Sequence, residues 1–251
     1  MKQMLKLTVL IIALFSFRAY SQNYPEMIAV EGGTFIMGDA FGVGNKDEKP
    51  THSVILKSFK IAKTEATVAQ YRTYCDAIGV KMPEPPKWGW QDDAPIVNVS
   101  WDDAVAYCKW LSNELKRDYS LPSEAEWEFS ARGGNKSLGY SYSGCNDLEE
   151  VAWYTSNSGG QANLVMKKKP NELGLYDMSG NVWEFCLDWY NEKYYTDATV
   201  SNPKGPETGN SRVLRGGCWS QGDALCRVAA RNSHSTDCRH LNIGFRVISH
   251  E

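Results

Sequence analysis

The sequence predicts a loop-rich α+β fold with few, short helices and strands. Helix signals are well capped but brief, apolar alternation runs in short stretches, and the segments between are dense in Gly, Asn, Pro and Asp. The first helix is expected over Val68 to Ile78, where Val68, Tyr71 and Cys75 recur at three-to-four spacing. Ser100 to Asp103 opens a second helix, with Ala104, Cys108 and Leu111 on one stripe. Ser123-Glu-Ala-Glu126 is a capping-box sequence for a third, which Gly133-Gly134 should end. Strands are expected at Ala29–Met37, Val54–Ile61, Val213–Arg215 and Gly244–Ile248. Asn135–Gly144, Asn157–Ala162 and Ser201–Asn210 read as loops by composition. Nine Trp and thirteen Tyr supply large buried areas with polar tips, which suits a domain held together by side chains more than by regular layers.

The first residues read as an address. Lys2 and Lys6 precede an apolar run from Leu7 to Phe17, and Ala19-Tyr20-Ser21 offers small residues at a cleavage site. The run is about half the ~20 residues that a membrane span needs. Residues 1–21 are therefore expected to be a signal peptide cut near Ser21, and residues 22–251 one exported domain, periplasmic or secreted. No cysteine follows the cut, which disfavours a lipid anchor. Without Lys2, Lys6 and Arg18 the 27 basic residues fall to 24 against 30 acidic ones, a formal charge of −6. That balance argues against nucleic acid or an anionic membrane as a partner. No membrane span is expected, and a monomer is the working expectation.

Seven cysteines remain: Cys75, Cys108, Cys145, Cys186, Cys218, Cys226 and Cys238. Disulfides are allowed outside the cytoplasm, but the odd number leaves at least one thiol free or paired with another chain. No Cys-x-x-Cys occurs, and His52, His234, His240 and His250 complete no zinc spacing. His234 and His240 read as surface-loop residues. The adjacent carboxylates Asp102-Asp103 and Glu149-Glu150 read as helix caps and solvated charges.

Seven blocks then fall in one order along the chain. They are Gly32-Gly33-Thr34-Phe35-Ile36-Met37-Gly38, Asp47-Glu48-Lys49-Pro50-Thr51-His52, Pro95 to Ala104, Leu121 to Glu128, Gly174 to Glu184, Arg215-Gly216-Gly217-Cys218-Trp219 and Gly244-Phe245-Arg246. In these blocks the sequence resembles the formylglycine-generating enzyme, or sulfatase-modifying factor, family. The resemblance implies a compact variant of the C-type lectin fold. It also implies oxidation of a cysteine in a sulfatase polypeptide to formylglycine, using dioxygen and copper(I). Other members serve different roles, so fold membership alone does not fix the function.

Copper(I) is soft and favours thiolate ligands, so that chemistry needs two converging cysteines. By resemblance they lie three and eight residues after the position held here by Cys218. Those positions are Gln221, which has no thiolate to give, and Cys226, which has one. Cys226 and Cys218 are the candidate catalytic pair. Against this, Cys226-Arg227-Val228-Ala229-Ala230-Arg231 also fits a block beyond the family's catalytic pair, which would leave neither cysteine in place. Cys186 is then a candidate disulfide partner for Cys226, a bond that excludes a catalytic role for Cys226. A family disulfide at Cys108 is lost because its partner position is Val228. Calcium is expected from the resemblance at Asp177, Gly180, Val182 and Glu184, as carboxylates and alternate backbone carbonyls. Two functions stay open: sulfatase maturation by an exported copper oxidase, or a non-catalytic, calcium-stabilised accessory or binding module. The module would serve sulfated-polysaccharide degradation or a surface assembly.

Overall fold

The computed structural model describes residues 23–196 and 198–250, so the expected signal peptide and its cut lie outside the described residues. Along the chain come β1 (Met27–Val30), β2 (Thr34–Met37), β3 (His52–Ile55), β4 (Phe59–Ala62), α1 (Val68–Ile78), α2 (Trp101–Leu115), β5 (Asp118–Ser120) and α3 (Glu124–Ala131). They are followed by α4 (Leu148–Val151), β6 (Trp183–Trp189), β7 (Val200–Ser201), β8 (Arg212–Arg215), β9 (Arg231–His234), β10 (Ile243–Gly244) and β11 (Ile248–His250). The elements are few and short, as the composition predicts. No helix among the described residues is long and apolar enough to cross a membrane.

The helices begin where the capping signals stand. Thr67 with Gln70, Ser100 with Asp103 and Ser123 with Glu126 each form reciprocal capping boxes, satisfying backbone N–H groups that the first turn leaves free. Asp103 is thus a cap, as expected. The first helix ends at Gly79, whose φ of 72° is the left-handed stop of a C-terminal glycine.

The strands depart from expectation in an instructive way. The stretch Ala29–Met37 is two strands in two sheets, and so is Val54–Ile61. The break in both falls at one crossing, where Gly33 and Leu56 exchange backbone hydrogen bonds of 3.1 and 2.9 Å. A Cβ on Gly32 would lie 2.5 Å from the Leu56 carbonyl oxygen, so only glycine lets the two segments touch and separate. Likewise Gly244–Ile248 divides into β10 and β11 around Arg246. One sheet has the order β1-β4-β11-β5 and is antiparallel throughout. A second, β10-β6-β8-β9, is antiparallel except for β10 beside β6. The third is β2-β3-β7.

Apolar packing divides into two main clusters. One gathers α1 and α2, with Tyr71, Tyr107 and Phe245 in ring contact. The other lies under α3 around Trp127, Phe129, Leu175 and Val213. Buried ion pairs join the elements. Glu184 on β6 takes two bonds of 2.6 Å from Arg246 and one of 2.7 Å from the Trp127 indole. Glu124 on α3 takes 2.6 and 2.8 Å bonds from Arg231. Glu128 pairs with Arg132 and Arg215, and Arg215 also donates to the carbonyls of Ala229 and Ala230. Burial tends to raise the Glu128 carboxyl, but the Arg132 and Arg215 charges outweigh it and hold the group below its ordinary value.

Two outcomes follow. Arg246→Met strands Glu184 as a buried, unpaired charge and should cost about 3–5 kcal/mol, read as a lower urea midpoint. Buried Asp188 behaves oppositely to Glu128: desolvation, then the Glu124 charge, push it up to about 8. Its folded-state value lies above the unfolded one, so the stability it contributes is present below about pH 4 and is lost as pH rises through about 8. Melting curves should therefore show Asp188→Asn gaining on the wild type between pH ~5 and ~8.5; a gap that narrows with rising pH contradicts this.

Candidate functional site

The site begins at the end of β8, where Arg215 turns into the cluster of buried carboxylates and the chain leaves through Gly216 and Gly217. Gly217 has a φ of 77°, and a Cβ there would lie 2.8 Å from the Cys226 sulfur and 2.7 Å from the Leu225 carbonyl oxygen. Glycine at 217 therefore lets the loop carrying Cys226 lie flat against the strand end. A 3₁₀ turn, Asp223–Leu225, delivers Cys226, whose N–H donates to the Asp223 carbonyl at 3.0 Å.

The two candidate cysteines become neighbours, with the Cys226 sulfur against the backbone at Gly217, and they count among the residues of two different apolar clusters. Cys226 is 0 % exposed and packs with Leu148 and Ala152, against Tyr142 and Tyr154. Burial, with a contribution from nearby Cys218, pushes its thiol up to about 12. Cys218 is also 0 % exposed but belongs to the cluster around α1 and α2. Its sulfur accepts from the Asn242 amide at 3.2 Å and shares a hydrogen with the Ser220 hydroxyl at 3.3 Å. Burial raises this thiol, and the Ser220 and Asn242 donors oppose the rise without cancelling it. Gln221, half-buried, gives its backbone carbonyl to Thr155 at 3.0 Å.

The expected disulfide does not form. Cys186 and Cys226 are both free thiols, as are the other five cysteines, and the two belong to separate apolar clusters. Spacing alone does not say which cysteines meet. Cys108 is a buried, unpaired thiol on α2, raised by desolvation.

The expected calcium ligands lie in one region, and one of the two carboxylates is already committed. Glu184 spends both oxygens on Arg246 and Trp127, so a guanidinium already neutralises it. Asp177 differs. It is buried, has a φ of 59°, accepts the Met166 N–H at 2.9 Å on one oxygen, and has no hydrogen-bond partner on the other. Beside it stands a residue that the sequence reading missed. Glu65, 0 % exposed, accepts from the Asn181 amide at 2.7 Å and the Val182 N–H at 3.0 Å. Three buried carboxylates here face the single buried guanidinium of Arg246. Desolvation, then the Asp177 and Glu184 charges, raise Glu65 well above its ordinary value. Desolvation likewise pushes Asp177 up to about 6. The only signal for Glu65 was an acid set between the apolar strand Phe59–Ala62 and the Thr67 cap.

Among the described residues no group of three or more His, Cys, Asp or Glu side chains is arranged as a metal site. His52 is buried against Tyr195, while His234 and His240 are exposed.

Comparison with known proteins agrees with this architecture. Residues 15–251 match the sulfatase-modifying factor enzyme 1-like domain. The chain belongs to the sulfatase-modifying factor family. Its relatives include the formylglycine-generating enzyme of Streptomyces coelicolor, 33% identical over 87% of this chain and 87% of that protein. The chaperone protein LppX of Paenibacillus barcinonensis is 32% identical over 89% of each. Among solved structures, PvdO from Pseudomonas aeruginosa superposes with a TM-score of 0.78 at 29% identity, covering 90% of this chain and 95% of that one. This family member therefore keeps the scaffold while holding Cys218 and Cys226 in separate packing environments.

Proposed function

We propose that this sulfatase-modifying factor family member is an exported accessory or binding module that does not itself oxidise cysteine. One observation carries this: Gln221 stands where the family's other thiolate is expected, and the remaining candidates, Cys218 and Cys226, are both 0 % exposed. Two thiolates on one copper(I) ion are what that chemistry asks of the protein. A thiol raised to about 12 gives up its proton reluctantly. The likeness to a protein named as a chaperone supports a non-oxidase role on the same scaffold. The partners that suit it are polypeptides of a sulfated-polysaccharide system or a surface assembly outside the cytoplasm.

The test is direct. The purified protein is incubated with copper(I), oxygen and a sulfatase-derived cysteine peptide, and the peptide mass is followed. No conversion of thiol to aldehyde is expected, and Cys226→Ser should behave like the wild type. Conversion that disappears in Cys226→Ser establishes the second function, sulfatase maturation, which the likeness to the Streptomyces enzyme favours.

Calcium enters this reading through Asp177 and Glu65, not Glu184. A divalent cation between those two carboxylates would balance the charge that Arg246 leaves uncompensated and occupy the free Asp177 oxygen. Millimolar calcium near neutral pH should raise the melting temperature of the wild type and leave Asp177→Asn unmoved. An equal response in both proteins, or none in either, means that protons balance the pair instead.

A further inference from the structure

The parity of the cysteines leaves a question that the fold answers in part. Five thiols are buried, and only Cys145 and Cys238 reach the surface. Their surroundings differ. The Cys145 sulfur lies 3.6 Å from a Glu150 carboxylate oxygen and accepts the Asp147 N–H at 3.3 Å. The Cys238 sulfur faces an imidazole, with Nε2 of His234 at 3.3 Å. His234 ends β9, and the turn in which the Cys238 N–H donates to the Ser235 carbonyl folds the thiol back onto the ring.

The proton on that ring can be placed. Nδ1 of His234 accepts the Ser235 N–H at 3.0 Å, so the neutral imidazole carries its hydrogen on Nε2 and directs it at the sulfur. A donor aimed at sulfur favours the thiolate over the thiol, and the thiolate is the nucleophile. Two effects oppose it: partial burial and the Asp237 carboxylate push the Cys238 thiol up. Arg239 alongside is committed to Asp103 and to the Asn98 carbonyl. The His234 N–H is thus the group that faces the sulfur and lowers the cost of ionising it.

We propose that Cys238, with His234 as its positioning residue, is a surface site for thiol–disulfide exchange with low-molecular-weight disulfides. The Cys238 thiolate attacks one sulfur of the external disulfide and a new sulfur–sulfur bond forms. The old bond breaks, and the departing thiolate leaves with its electron pair and takes a proton from water. The protein ends as a mixed disulfide, and an external thiol reverses the step. This assignment does not depend on whether the protein is an oxidase.

The experiment uses the folded protein with oxidised glutathione, followed by intact mass and peptide mapping. One adduct is expected first, at Cys238, with Cys145→Ser reacting at the wild-type rate. His234→Ala should slow adduct formation several-fold and move the pH dependence of Cys238 alkylation upward, with Cys145 alkylation and the melting temperature unchanged. A first adduct at Cys145, reaction only after denaturation, or a His234→Ala profile that overlays the wild type would each overturn the proposal.

Discussion

The fold depends on burying guanidinium–carboxylate pairs inside a domain with little regular structure. Arg215, Arg231 and Arg246 are all under 5 % exposed, and each meets a buried glutamate: Glu128, Glu124 and Glu184. Arg227 meets Glu48 through bonds of 2.7 and 2.8 Å. Because a guanidinium has five donors in a fixed plane, it fixes angles as well as distances. Arg246 illustrates this, clamping Glu184 while donating to the carbonyls of Ala62 and Tyr176. Such pairs add little net stability over apolar contacts, yet breaking one leaves a buried charge alone. They specify which loops meet, a task that sheets built mostly of two- to four-residue strands perform poorly.

The same constraint shapes the site. Arg215 anchors the end of β8 by donating to the carbonyls of Val228, Ala229 and Ala230. The segment after Cys226 is thereby fixed against the strand, and Gly217 provides the space. The anchoring lays the Cys226 sulfur against the backbone at Gly217, and Cys218 and Cys226 count among the residues of two different apolar clusters. What scaffold and site share is therefore backbone geometry, and the chemistry depends on which side chains the sequence places on it. Gln221 in place of a thiolate is a change in chemistry that leaves the fold intact.

Much of this was legible in the sequence, for identifiable reasons. The helix starts at Thr67, Ser100 and Ser123 are local hydrogen-bond patterns, which spacing encodes directly. The strand breaks at Gly32-Gly33 and around Arg246 were not, because each depends on a segment distant in sequence passing close by. At the site, pattern identified Asp177, Cys218 and Cys226 as residues worth placing. It could not show that Glu184 belongs to Arg246, since a carboxylate's partner is decided in three dimensions. Glu65 was missed for the same reason, lying more than a hundred residues from the Asn181 and Val182 groups that it accepts. The Cys186–Cys226 pairing failed because cysteine spacing carries no record of facing.

The central claim is that Cys218 and Cys226 are buried packing thiols and do not act as a copper(I) ligand pair. X-ray absorption at the copper edge, on protein loaded with one equivalent of copper(I), counts the sulfur neighbours of the metal directly. The account predicts no well-ordered two-sulfur shell, and a spectrum unchanged by Cys226→Ser. A shell of two sulfurs that falls to one in Cys226→Ser would contradict it.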